Sequence, residues 1–271
     1  MTAPANQAMN LRALPLPAGG HGDDYTLHLS LPEGDMPAAG WPLLLLLEAQ
    51  MCMATAVETM QRMARRSDAT GVRAMAVAGL AARDPANTQA RRRDFATPGG
   101  GDGQRQANGQ APAFLDFLER TVLPQLDEAA PLDVTRRTLF GHSLAGYFTL
   151  WSLAQRPALF HRHVALSPSI WWDREALFAG IDRIAELGPQ AFLAAGEWEG
   201  ELPPWQAGLP GSEGALERRK SRRMAANARD LAERIARHPR ARAEFHLYPD
   251  EDHASIVTAA MPRALRFAAR P

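Results

Sequence analysis

Acyl transfer can be carried out by a serine hydroxyl, an imidazole and a carboxylate, and this sequence offers all three in an orderly spacing. Ser143 stands within Gly141-His142-Ser143-Leu144-Ala145-Gly146, a run of small residues around one hydroxyl. A hydroxyl is a weak nucleophile at neutral pH and needs a base to take its proton as it attacks. A neutral imidazole serves as that base, and a carboxylate on its far ring nitrogen fixes the tautomer and steadies the imidazolium. Of the eight histidines, His253 is the candidate base, because it follows the last alternating apolar run and precedes a terminal helical one. His142 is read as shaping the turn around the serine. The acid is expected from Glu199, shortly after Gly196, with Glu197 as the alternative; Asp250 and Asp252, near His253 in the chain, stay open. An oxyanion formed on the way needs backbone donors. The amides of Leu144 and of Gln50, the latter in the turn Glu48-Ala49-Gln50-Met51, are the expected pair.

Those groups must be held by particular elements. Residues 137–140 read as a short strand that runs into the serine turn, and the run from Tyr147 to Leu153 reads as the helix leaving it. Strand, sharp turn and helix together make a nucleophile elbow, whose small residues let the backbone turn tightly. The departure from Gly-x-Ser-x-Gly is Ala145 at the second small position, with glycine one step later. Residues 11–16 and 25–31 alternate polar and apolar, as outer strands with one wet face do. Residues 42–47, 75–80 and 190–196 are short, largely apolar runs, the pattern of strands covered on both faces; residues 164–169 read as a strand leading into Ile170-Trp171-Trp172, and residues 243–248 make the last strand. Helical spacing occupies 54–65, the stripe Phe114, Leu115, Leu118, Val122, Leu126, residues 173–187, the stripe Met224, Ala228, Leu231, Ile235, and residues 256–268. Alternating strands and helices predict an α/β protein, specifically an α/β-hydrolase fold with a mostly parallel central sheet and helices on both faces. Residues 1–271 are expected to form one domain, with loop insertions at about 83–112 and 200–214. The first of these reads as structureless, and its glycine run from Gly99 to Gly103 as mobile. Serine, glutamates and His253 all follow strands, so one carboxyl rim can gather them.

Composition narrows the function. Thirty basic and thirty acidic residues cancel, which removes any global electrostatic case for nucleic acid or membrane partners. The single cysteine, Cys52, excludes an intramolecular disulfide and a multi-cysteine metal site. No histidines are paired at zinc-ligand spacing, so neither metal nor cofactor is expected. The amino-terminal residues lack a secretory pattern, and the apolar run 43–47 is too short to span a bilayer. The expectation is a cytoplasmic enzyme acting on a small-molecule ester.

Four motifs together resemble a known family. They are Phe140-Gly141-His142-Ser143; Ser-Pro-Ser-Ile-Trp-Trp at 167–172; the segment from Arg91 to Pro98 with its Arg-x-x-Asp and Thr-Pro elements; and Asp252-His253-Ala254-Ser255. The combination is similar to the bacterial siderophore esterases, α/β hydrolases of the broad "putative esterase" family that open catecholate trilactones of the enterobactin or salmochelin type. The resemblance implies Ser143 as nucleophile, His253 as base and a part in iron acquisition. Some relatives work with serine and histidine alone, which leaves the role of Glu199 open. It further implies a ferric siderophore as partner. Such a complex is anionic, and Arg91, Arg92, Arg93 and Asp94, with Trp171 and Trp172, are the segments expected to meet it. Where the family has Asp-Gly-Asn after the first buried strand, this chain has Glu48-Ala49-Gln50. The expected activity is a serine ester hydrolase working through an acyl-enzyme. An acyltransferase or peptidase would use the same site, and the alanines at 49 and 145 keep open a hydrolase-like scaffold that binds without catalysis.

Overall fold

The computed structural model describes residues 10–101 and 109–270. Its strands are β1 (Leu11–Leu14), β2 (Tyr25–Ser30), β3 (Trp41–Leu46), β4 (Ala76–Ala82), β5 (Leu132–His142), β6 (Arg162–Leu166), β7 (Gln190–Gly196) and β8 (Arg242–Tyr248). They form one sheet in the order β1-β2-β4-β3-β5-β6-β7-β8. β1 and β2 join antiparallel, and every pairing from β4 to β8 is parallel. Leucines fill β3 and are buried throughout, as a strand covered on both faces requires, whereas β2 alternates buried and half-buried residues.

The longer helices are α1 (Ala49–Ala64), α2 (Thr88–Phe95), α3 (Ala111–Phe117), α4 (Leu123–Ala129), α5 (Leu144–Gln155), α6 (Arg174–Arg183), α7 (Ser212–Arg222), α8 (Met224–Ala236) and α9 (Ile256–Ala269). A π-helical turn, Leu118–Val122, joins α3 to α4. Helices cover both faces of the sheet. Val57 and Met60 of α1 and Met261 of α9 pack with Phe140 and Phe192 on one side; Phe114, Phe148, Ile181 and Leu231 pack with Leu139 and Leu193 on the other. The α/β-hydrolase architecture expected from the alternation of elements is the one observed.

Three local expectations need correction. Residues 83–112 are not a structureless loop: α2 lies inside them, started by the Asn87 side chain accepting from the Ala90 amide at 3.0 Å. Its only apolar anchor is Phe95, which packs against Phe114 and Phe148 with centroids 5.3 and 5.8 Å away, so no hydrophobic period announced it. The expectation of mobility for the glycine run falls partly on residues 102–108, outside those described. The second insertion likewise ends early, because α7 starts at Ser212, and α1 begins at Ala49 rather than at residue 54. Glu48 ahead of α1 makes no side-chain cap, which is why the sequence reads as a turn there.

Candidate active site

β5 delivers Ser143 at its carboxyl end, and α5 leaves at once. Ser143 has φ 58° and ψ −119°, a left-handed conformation that a non-glycine residue holds only when its surroundings impose it. They do so through the backbone: its amide donates to Leu166 O at 2.9 Å, and its carbonyl accepts from Tyr147 at 3.0 Å and Ser169 at 2.9 Å. The close approach of strand and helix falls at Gly141, where an added Cβ would lie 2.2 Å from the Ala145 carbonyl oxygen, and at Gly146, 3.1 Å from Leu166 O. Ala145 is itself fully buried with its methyl accommodated. Glycine is therefore required at 141, and at 146 a larger residue would be a tight fit, on either side of the position where the motif departs.

His253 and Glu199 reach the serine because two turns are tied together. The Trp198 amide donates to Glu251 O at 3.0 Å and the Asp250 amide to Glu197 Oε2 at 2.9 Å, joining the loop after β8 to the turn after β7. Gly196 makes this approach possible, since a Cβ there would sit 2.3 Å from Glu251 O. His253 Nε2 lies 3.0 Å from Ser143 Oγ, and its Nδ1 lies 3.4 Å from Glu199 Oε2. Glu199 is 3% exposed; its Oε1 accepts from the Gly196 amide at 3.1 Å and from the Ser167 hydroxyl. The contact to Nδ1 is at ion-pair distance, looser than an aligned hydrogen bond, as such contacts often are before substrate binds.

The other carboxylates near His253 have different duties. Glu197 is spent on the Asp250 amide. Asp252 Oδ1 accepts from the amides of Ser255 and Ala254 at 2.9 and 2.8 Å, which holds its carboxyl below the usual value and shapes the turn bearing His253. His142 stacks on His253 with ring centroids 4.6 Å apart. Burial, and then the neighbouring His253, push its pKa down to about 3, so it stays neutral beside that ring.

The turn after β3 is adjacent to the elbow, for Leu46 pairs with Phe140 in the sheet and the Leu47 amide donates to Phe140 O at 3.1 Å. Leu144 and Gln50 are both first-turn residues, of α5 and α1 respectively, where helix geometry leaves amides unused and the dipole favours negative charge. Gln50 Oε1 accepts from the Ala82 amide at 3.1 Å, bracing the turn against β4. Ala49 fits where the resembling family has glycine because its neighbour in β4 is Gly79, at which a Cβ would lie 2.7 Å from the Ala49 methyl.

The basic segment behaves otherwise than the sequence suggests. Arg91 makes a two-pronged pair with the buried Glu48, Nε to Oε1 at 2.6 Å and Nη2 to Oε2 at 3.1 Å. Asp94 is corrected outright as a substrate contact: it is 0% exposed and is bound by Tyr25 Oη at 2.7 Å, Arg93 at 2.6 and 2.9 Å, and His21 Nδ1 at 3.2 Å. Trp172 is buried, while Trp171 lines the cleft over Ser143. That cleft also presents Ser169, Trp198, Arg219, Arg222 and Met224, none of which was among the expected site residues. Ser169 Oγ is 3.5 Å from Ser143 Oγ. Arg219 and Arg222 fall at i and i+3 on α7, a helix too polar to show an apolar period and set just beyond a glycine- and proline-rich stretch. A serine directly after an apolar strand, as at Ser167, was the one visible hint of the acid's partner.

An elbow serine, a histidine after the last strand and a buried carboxylate between them, on a mostly parallel sheet, define an α/β hydrolase site. Residues 19–224 match the family model for Esterase, described as "Putative esterase", and the chain belongs to that family. It is 32% identical over 265 residues to the ferri-bacillibactin esterase BesA of Bacillus subtilis, covering 91% of this chain and 85% of that protein. It is 29% identical over 258 residues to the siderophore triacetylfusarinine C esterase of Aspergillus fumigatus, covering 90% and 88%. Among solved structures, the siderophore hydrolase EstA of Aspergillus nidulans superposes with a TM-score of 0.85 at 23% identity, covering 99% of this chain and 97% of that one.

Proposed function

We propose that the chain is a serine carboxylic-ester hydrolase that works through an acyl-enzyme and acts on a siderophore-type ester, a catecholate trilactone. The single observation that carries the chemistry is the 3.0 Å contact of His253 Nε2 with Ser143 Oγ, with Glu199 behind Nδ1. With its proton on Nδ1, the imidazole accepts the hydroxyl proton at Nε2 while Oγ adds to the ester carbonyl. The developing oxyanion is met by the amides of Leu144 and Gln50. As the carbonyl reforms, the bond to the alcohol oxygen breaks and His253 returns its proton to that oxygen. Water then repeats the sequence and frees Ser143. Through all of this His142 remains neutral, so only one charged ring forms.

The substrate class is supported by what the relatives are named for and by a cleft that joins indoles to guanidinium groups. Acyl transfer or peptide cleavage would share the first half of the reaction. A scaffold without catalysis is disfavoured because Ala49 and Ala145 are both accommodated without displacing a reacting group. Purified protein is expected to turn over a short-chain aryl ester, and Ser143→Ala or His253→Ala to lower kcat/KM about 10³- to 10⁴-fold. Activity that survives Ser143→Ala would refute the mechanism. Chromatography of ferric and iron-free enterobactin after incubation tests the substrate. If both trilactones stay intact while the aryl ester is cleaved, the siderophore assignment is removed and the esterase remains.

A further inference from the structure

The Ser-Pro-Ser turn at 167–169 sets one hydroxyl against Glu199 and another against Ser143. It leaves β6 and is pinned from three directions. The Ser167 amide donates to Ala194 O of the neighbouring β7 at 2.7 Å, and the Ser169 amide donates to Ser143 O at 2.9 Å. From α5, Gly146 presses so near that an added Cβ would lie 3.2 Å from Pro168 Cα. Ser167 has φ 44°, a left-handed conformation that costs a serine strain and persists only under such restraint. Its hydroxyl is fully buried and donates to Glu199 Oε1.

Ser169 carries the second hydroxyl, and its ordinary duty is not performed. It precedes the short 3-10 turn Ile170–Trp172, a position where a serine commonly caps the first amides with its side chain, yet no such bond is made. The residue is 5% exposed and lines the cleft over Ser143. Its Oγ lies 3.5 Å from Ser143 Oγ, the one hydrogen-bond contact of that hydroxyl among the described residues. Counting hydrogens gives the direction. Ser143 has a single hydroxyl hydrogen, and attack requires it to point at His253 Nε2, 3.0 Å away. The hydrogen between the two serines is therefore that of Ser169, donated to a lone pair of Ser143 Oγ.

We propose that Ser169 is a further catalytic residue, a hydroxyl donor to the nucleophilic oxygen itself. The proposal rests on the ester-hydrolase reading above. As the Ser143 proton passes to His253, negative charge gathers on Oγ until its bond to the carbonyl carbon forms. A donor already aimed at that atom binds it more strongly as the charge grows. The resting contact is at the outer limit of hydrogen-bond length and shortens at that moment. In deacylation the same oxygen departs: the bond from Oγ to the carbonyl carbon breaks, the electron pair returns to Oγ, and His253 hands back the proton. Ser169 keeps its own proton throughout, so it lowers both barriers without entering the proton balance. Because Ser167 grips Glu199 from the same turn, one strained segment sets distances at both ends of the line from Ser143 to Glu199.

The test compares the full-length parent with Ser169→Ala and Ser169→Cys on a short-chain aryl ester. In parallel it follows the second-order rate at which a fluorophosphonate labels Ser143. Loss of the donor is expected to lower kcat and kcat/KM equally, by about 10- to 100-fold, the scale of one hydrogen bond to a developing charge. Labelling should slow by the same factor. A thiol fills nearly the same space but donates weakly, so Ser169→Cys should resemble the alanine variant. A packing role predicts otherwise: the cysteine variant would match the parent, or the loss would fall on KM and on denaturant melts with labelling unchanged. Either result, or an alanine variant within about 2-fold of the parent, would overturn the proposal. A parent that neither turns over an ester nor takes the label removes the ester-hydrolase reading itself, whereas an active parent indifferent to Ser169 removes only this role.

Discussion

Two clefts open on the same rim of the sheet, and they use charge in opposite ways. In the cleft over Ser143 the Arg222 guanidinium lies over the Trp171 ring, Arg219 donates to the neutral Glu201 carbonyl and Gln206 side chain, and His253 stands half in solvent at 48% exposure. The second cleft, of about 250 Å³, lies beside the turn after β3, where Asp23, Asp24, Glu48 and Asp84 meet Arg83 and Arg91. There the charges answer one another: Arg91 holds Glu48, and the neighbouring Arg93 bridges Asp24 and Asp94. A cluster matched in this way fixes geometry. The difference sets the charge-matched cleft, which braces the Gln50 turn, apart from the cleft that holds Ser143.

That contrast can be tested at decreasing scale. Within the catalytic cleft, Glu199→Gln is expected to lower kcat about 10²- to 10³-fold, because the imidazole loses the charge that orients it and stabilises its protonated form. Steady-state kinetics check this, and a loss below about 3-fold would reduce the site to a serine–histidine pair. On the other side, Asp94→Asn should leave the catalytic groups in place while destabilising the fold by about 3 kcal/mol at pH 7, the scale for breaking a buried ionic network. Burial alone would raise the Asp94 carboxyl, but the hydrogen bonds from His21, Arg93 and Tyr25 outweigh it and hold it below its ordinary value. A depressed carboxyl contributes stability that is complete above its unfolded pKa and is lost as pH falls through the folded one. The gap between parent and variant in denaturant melts should therefore shrink below about pH 4; a gap that widens toward acid would contradict the sign. The smallest effect belongs to Arg91→Gln, which leaves Glu48 buried and unpaired and lets the oxyanion turn drift. An approximately 10-fold fall in kcat/KM is expected, equal for neutral and anionic esters. A loss confined to anionic esters would move Arg91 to the substrate and erase the distinction between the clefts.

How far the residues announced this arrangement follows from what each property depends on. Strand and helix periods are local, so the order serine, carboxylate, histidine could be read from runs such as 190–196 and 243–248 and matched to one rim. The partner of a charge is not local. Nothing near Arg91 in the chain reveals that Glu48, on a turn after a different strand, will neutralise it. Asp94 looked like a motif residue facing a ligand and is instead the hub of Tyr25, His21 and Arg93. Arg219 and Arg222 escaped notice for the converse reason: α7 has almost no apolar face, so only the folded chain shows which way it turns. Ala49 and Ala145 read as defects until Gly79, Gly141 and Gly146 are seen to make room around them.

The stacked rings of His142 and His253 carry a consequence for the bookkeeping of hydrogen ions. Since the inner ring stays neutral down to about pH 3, in the proposed reaction the proton lifted from Ser143 has a single address. It cannot be passed inward or stored, and it must go back out from the same nitrogen to the departing alcohol. The doublet of imidazoles, which looks like a relay, is a one-seat ferry with a blank wall behind it.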